Sequence, residues 1–167
     1  MRHFAPPGFE GVKAMKKYYL AYGSNLNVRQ MRFRCPNAVP VGTATLDGYR
    51  LLFKGSKTGA YLTVERHRSS TVPLGVWEVD ETDEKNLDRY EGYPAFYYKK
   101  SVKLNVRSLY GDREQILDAF LYIMHEERHL GLPSAQYVSV CRQGYTDFGF
   151  NEKFLRRALA DSMGDKK

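Results

Sequence analysis

Glu91 lies in the stretch LDRYEGYP, four residues after Leu87. Residues four apart share one face of a helix, so a core-facing Leu87 turns Glu91 inward with it. A carboxyl so placed has two reasons to hold its proton. Loss of water disfavours the anion, and so does the partial negative charge of the last helix carbonyls. A carboxyl tuned towards neutrality can take a proton and give it back. With Leu87 turned outward instead, the same residue is an ordinary surface glutamate at a helix end. The second candidate is Tyr22-Gly23-Ser24-Asn25-Leu26, which follows the aromatic run KYYLAY and precedes NVRQMRFR. A glycine and two small polar residues between a strand and a helix start can line up consecutive backbone N–H groups. Such a loop suits a carboxylate or the oxygen of a reacting carbonyl, and equally it is a simple turn.

Three other patterns carry less. His125-Glu126-Glu127-Arg128-His129 matches H-E-x-x-H, but that chemistry needs a helix to turn both imidazoles towards one metal. Here a strand-like run precedes it and Leu130-Gly131-Leu132-Pro133 follows at once, so a polar loop is the reading and no metal site is expected. Tyr97-Tyr98-Lys99-Lys100 has the composition of a stacking platform for single-stranded nucleic acid. Strand alternation through Val102, Leu104 and Val106 explains it more simply. Cys35 and Cys141 stand alone, His3 and His67 read as surface residues, and no phosphate-binding glycine motif occurs.

KYYLAY is a strand. Asn27, with Gln30 three residues on, has the pattern of a capping box for a short helix that Pro36 closes. Strand-like stretches run over 39–46, 49–54, 60–65 and 72–79, with Asp47-Gly48 as a hairpin turn. Asp80 to Glu91 is a helix with acids in its first turn and Gly92 at the position of a C′ glycine. Strands at 96–107 and 116–124 flank the Gly111-Asp112 turn. Helices at 134–145 and 152–161 finish the domain, Asn151 capping the latter. Phe154, Leu155, Ala158 and Leu159 form that helix's apolar face. Runs of strands with few, separated helices indicate an α+β fold rather than an alternating parallel one. The sheet is expected to be mostly antiparallel and barrel-like, with flanking helices.

The chain has 167 residues, which suits one domain able to bury a core. The expected division is a flexible extension over 1–14, a domain over 15–162 and a polar tail over 163–167, with fraying from Ser162 onward. Lys and Arg exceed Asp and Glu by 26 to 19, a net charge of +7, but the charge is scattered and reads as solvated surface. No run of about 18 apolar residues exists, so no membrane helix is expected. The first residues carry no signal-type apolar region, and two lone cysteines fit reduced thiols in a cytoplasmic protein.

Taken together, YYLAYGSNL, LDRYEGYPAFYYKK and PSAQY followed by an apolar helical tail resemble the γ-glutamylcyclotransferase-like proteins, which include γ-glutamylamine cyclotransferases and AIG2-like members. The resemblance covers most of residues 15–160. It implies a small barrel-like α+β domain and an intramolecular reaction. The α-amine of a small γ-glutamyl substrate attacks the γ-glutamyl carbonyl, giving 5-oxoproline and a free amine or amino acid, with no cofactor or metal. It implies Glu91 as the acid/base, and Tyr22, Gly23, Ser24, Asn25, Leu26 and Tyr137 as substrate-binding residues. GAYLTVE at 59–65 resembles the family's strand near the pocket. The alternative is a binding module of the same fold that holds an acidic or γ-glutamyl ligand without turnover. Neither a nucleic-acid nor a membrane partner is expected, and the sequence leaves the oligomeric state open.

Overall fold

A computed structural model describes residues 15–56 and 59–164. The expected extension over 1–14, His3 included, lies outside the described residues. The chain runs β1 (Lys17–Ala21), a 3-10 turn (Ser24–Leu26), α1 (Val28–Arg34), β2 (Val39–Lys54), β3 (Tyr61–Val79), α2 (Glu81–Glu91), β4 (Tyr97–Ser108), β5 (Glu114–Met124), α3 (Ala135–Phe148) and α4 (Lys153–Ser162). The strands close into a barrel in the order β1-β3-β2-β4-β5. The long pairings are antiparallel, and one parallel step, Tyr19 beside Phe120, joins β5 to β1 and closes the ring. Leu20, Phe53, Leu62, Leu74, Trp77, Leu121 and Ile123 are buried in the core it forms. The α+β, mostly antiparallel reading therefore holds.

Two local readings do not. Asp47-Gly48 is not a hairpin turn. β2 continues through it, and Gly48 (φ 78) sits at a register shift between the pairs Asp47–Thr71 and Tyr49–Arg66. The residues a hairpin turn favours are also those a bulge favours, since both want a left-handed glycine. β2 and β3 instead turn back on each other after Lys54. Nor is Ser162 frayed. It is buried, its hydroxyl accepting from Phe53 N–H at 2.8 Å and donating to Ala158 C=O at 2.6 Å. That hydroxyl ties the end of α4 to the edge of β2.

The helices end as their caps dictate. In α2, Asp80 accepts from Asp83 N–H at 2.8 Å while the Asp83 carboxylate receives Asp80 N–H at 3.1 Å, a reciprocal box. Gly92 stops α2 in the left-handed conformation (φ 63). At α1 only half of the expected box forms. Asn27 Oδ1 accepts from Gln30 N–H, but the Gln30 side chain turns to Arg34. α3 extends to Phe148, three residues past the expected end at 145, and stops at Gly149.

Candidate active site

The first residues of β3 pair with β2 alone, because β1 joins β3 only from Gly75 onward. The free backbone of Leu62 therefore faces side chains rather than a strand. Its N–H donates to Tyr137 Oη at 3.1 Å, and its C=O accepts from Tyr97 Oη at 2.8 Å. Beside this gap lies a cavity of about 330 Å³. The β1–α1 connection, the end of α2, the starts of β3 and β4, and α3 all contribute to its walls.

Glu91 reaches this cavity from the last position of α2, with Leu87 fully buried one turn earlier. Its Oε1 accepts from Asn25 Nδ2 at 3.1 Å, and the same amide donates to Tyr19 Oη at 2.9 Å. Burial pushes the Glu91 carboxyl up to about 7, against the opposing pull of Arg34 and the Asn25 hydrogen bond. A carboxyl half-ionised near neutrality serves as acid and as base at the same pH. The phenols around it, Tyr19, Tyr22, Tyr97 and Tyr137, are pushed well up by burial and stay neutral. α2 is fixed from its outer side. Lys99 Nζ lies 2.7 Å from Asp88 and 3.2 Å from Glu84, Lys17 Nζ lies 2.7 Å from Glu84, and Tyr122 Oη donates to Asp88 at 2.6 Å.

Of the sequence-predicted residues, Glu91, Tyr22, Gly23, Ser24, Asn25 and Tyr137 converge on the one cavity. In the 3-10 turn the first intrahelical bond runs from Leu26 N–H to Gly23 C=O at 3.0 Å, so the amides of Ser24 and Asn25 precede the ladder. Tyr137 Oη accepts from Leu62 N–H, and the same side chain hydrogen-bonds Cys141. Leu26 is a correction. It does not line the cavity, its N–H is taken by Gly23, and its side chain is fully buried. As the apolar member of the loop, it anchors the turn in the core.

Sequence reasoning missed Tyr19, Tyr61, Leu62, Phe96, Tyr97 and Tyr122 as cavity residues, and with them Arg89, Tyr90 and Gly92 beside Glu91. GAYLTVE was the signal for Tyr61 and Leu62. Nothing marked Arg34, whose guanidinium donates to Asn25 Oδ1 at 2.6 Å behind the cavity. The Tyr-Lys run forms no platform: Tyr97 is buried, Tyr98 donates to Glu126, and Lys99 is paired. Residues 125–129 are not helical. His125 Nε2 bonds Pro94 C=O at 2.7 Å, and Glu126 C=O accepts from Lys54 at 2.7 Å. No cluster of metal-ligating side chains occurs among the described residues. Cys35 and Cys141 are buried free thiols, each pushed up to about 12 by burial. No helix of the described residues is long and apolar enough to cross a membrane.

Comparison with known proteins covers the same elements. Residues 19–139 match the family model described as "Gamma-glutamyl cyclotransferase, AIG2-like". A γ-glutamylcyclotransferase of Mus musculus is 26% identical, the match covering 96% of this chain and 86% of that protein. One from Bos taurus is 26% identical over 89% of this chain and 80% of its own length. A solved γ-glutamyl cyclotransferase structure superposes with a TM-score of 0.71 at 23% identity, covering 87% of this chain and 88% of its own.

Proposed function

The chain belongs to the γ-glutamyl cyclotransferase, AIG2-like family, and from that premise we propose that it cyclises the γ-glutamyl moiety of a small γ-glutamyl amide, with Glu91 as the acid/base. The observation that carries this reading is the Glu91 carboxyl. It is set in the cavity that Ser24 and Asn25 also line, it accepts from the Asn25 side chain, and burial raises its proton affinity into the neutral range. The substrate arrives with an α-ammonium, which is no nucleophile. Glu91 in its ionised form takes one of its protons. The freed amine attacks the γ-carbonyl carbon, a C–N bond forms, and the carbonyl electron pair moves onto oxygen. Collapse of that oxyanion breaks the bond to the leaving nitrogen, which receives the proton from Glu91. The extra proton on the ring nitrogen ends on the released amine as its ammonium, and Glu91 is restored.

Nucleophile and electrophile belong to one molecule, so the protein's main task is to fold the glutamyl arm back on itself. Ser24 N–H, Asn25 N–H and the Tyr137 hydroxyl are the donors offered to its carboxylate and its developing oxyanion. The leaving group is an amine or an amino acid. The test is a panel of γ-glutamyl-amino acids and γ-glutamyl-amines, including the lysine side-chain isopeptide, with 5-oxoproline followed by mass spectrometry. Product from one class names the leaving group. Ligand-induced stabilisation without product from any member would favour a binding module of the same fold.

A further inference from the structure

We propose that Arg34 is a positioning residue for Glu91: it fixes the Asn25 amide so that its NH₂ faces the carboxylate, and it sets a positive charge behind that carboxylate. The proposal rests on the acid/base reading of Glu91 and adds what makes that role workable.

The geometry is a short relay. Arg34 Nη1 donates to Asn25 Oδ1 at 2.6 Å, and Asn25 Nδ2 donates to Glu91 Oε1 at 3.1 Å. An asparagine amide can present either its oxygen or its nitrogen. Oxygen towards Glu91 would set two acceptors face to face and would leave the guanidinium against an NH₂. Arg34 has only donors, so it claims the oxygen and hands Glu91 the nitrogen. The guanidinium is itself held in place. Nη2 donates to Gln30 Oε1 at 2.7 Å, and its carbon lies 3.7 Å from the centroid of the Tyr90 ring. Among the described residues Arg34 has no direct carboxylate partner, so its charge is not consumed by an ion pair. A cation serving only the C-terminal dipole of α1 would turn to the last carbonyls of that helix. Arg34 turns instead to Asn25.

The chemical need is clear from the site. Burial alone drives Glu91 towards the neutral acid, and a neutral acid cannot accept the proton of an ammonium. Arg34 is the largest opposing influence, and the Asn25 hydrogen bond is the next. Tyr61 from β3 and Tyr90 and Arg89 from α2 line the cavity with Glu91, and five further phenols face it: Tyr19 from β1, Tyr22 just beyond β1, Tyr97 from β4, Tyr122 from β5 and Tyr137 from α3. All five are neutral phenols, so none substitutes for the guanidinium. Asp88 and Arg89 lie on the same helix, but Asp88 is engaged by Lys99 and Tyr122, and Arg89, at the exposed edge of the cavity, is not among the influences that shift the Glu91 carboxyl.

The test titrates Glu91 directly in the full chain. Glutamate side-chain carboxyls are labelled with ¹³C and followed by NMR, and the Glu91 signal is assigned by its loss in Glu91→Gln. Arg34→Gln is expected to raise the proton affinity of Glu91 about tenfold, and Arg34→Lys is expected to restore most of it. Gln30→Ala, which frees one anchor of the guanidinium, gives a smaller shift in the same direction and stands in if Arg34→Gln does not fold. In turnover, the acid limb of the pH–rate profile moves to higher pH in Arg34→Gln, and the rate recovers towards wild type on the alkaline side. An unmoved Glu91 titration in a folded variant overturns the proposal. So does a rate lowered equally at every pH. A protein that makes no 5-oxoproline counts against the cyclase reading, while the titration still decides the role of Arg34.

Discussion

Glu91 has a stability consequence beside its proposed chemistry. Its carboxyl titrates near 4.5 when unfolded and at about 7 when folded. Between those values the folded chain holds a proton that the unfolded chain does not. The contribution is therefore fully present below 4.5 and is lost as pH rises through 7. Glu91→Gln removes the penalty of ionising a buried group. At about pH 8 the variant is expected to be more stable than wild type by about 1–3 kcal/mol, and at about pH 4 nearly equal to it. Urea denaturation at the two pH values checks this, and equal stabilities at both would mean that Glu91 is solvated in the fold. A gain in stability on removing an acid/base is the usual mark of a residue held for chemistry rather than for packing. Glu91 was legible because one buried neighbour, Leu87, fixes the rotation of α2. Arg34 was not, because its link to Glu91 runs through Asn25, and in the sequence it is one of 26 scattered cations.

At the scale of elements, the site depends on how closely α3 approaches the loop that precedes α1. Gly144 is the point of contact. A Cβ there would stand 2.6 Å from Asn27 N and 2.7 Å from Leu26 C, both backbone atoms that cannot yield cheaply. Gly144→Ala is expected to cost roughly 2 kcal/mol or more in thermal or chemical unfolding and to disturb the Ser24–Asn25 amides. A variant as stable as wild type would show that the two elements are not in fact pressed together. Nothing in the sequence marks Gly144, since a glycine inside a helix shows its reason only when the neighbouring backbone is known. The ends of α2 were legible because Asp80 and Gly92 act on their own neighbours, whereas α3 runs three residues past its expected end before Gly149 stops it. The Asp47-Gly48 error has the same root. Turn chemistry is local, but whether a glycine kinks one strand or joins two is decided by pairing across the sheet. Tyr61 and Leu62 line the cavity for a reason no local rule supplies: β3 outruns β1 and leaves one backbone edge free.

For the molecule as a whole, the barrel supplies a frame, and the proposed site sits where its ring of pairing is incomplete. β1, β3, β4, α2 and α3 each bring a residue to one cavity, and the ion pairs of Lys17 and Lys99 with Glu84 and Asp88 hold α2 against β1 and β4. The fold class followed from the alternation of strands and the scarcity of helices. A barrel-like sheet was expected as well, but not the parallel step between β1 and β5 that closes it, since those elements lie about a hundred residues apart. This frame is proposed to present one half-buried carboxyl to a γ-glutamyl arm. The most direct test is the rate of 5-oxoproline release by Glu91→Gln, measured beside wild type on the best substrate of the panel, with substrate binding followed by calorimetry. The folded variant is expected to bind that substrate within a few-fold of wild type and to lose at least roughly 100-fold in turnover. Turnover at the wild-type rate would take the acid/base role away from Glu91.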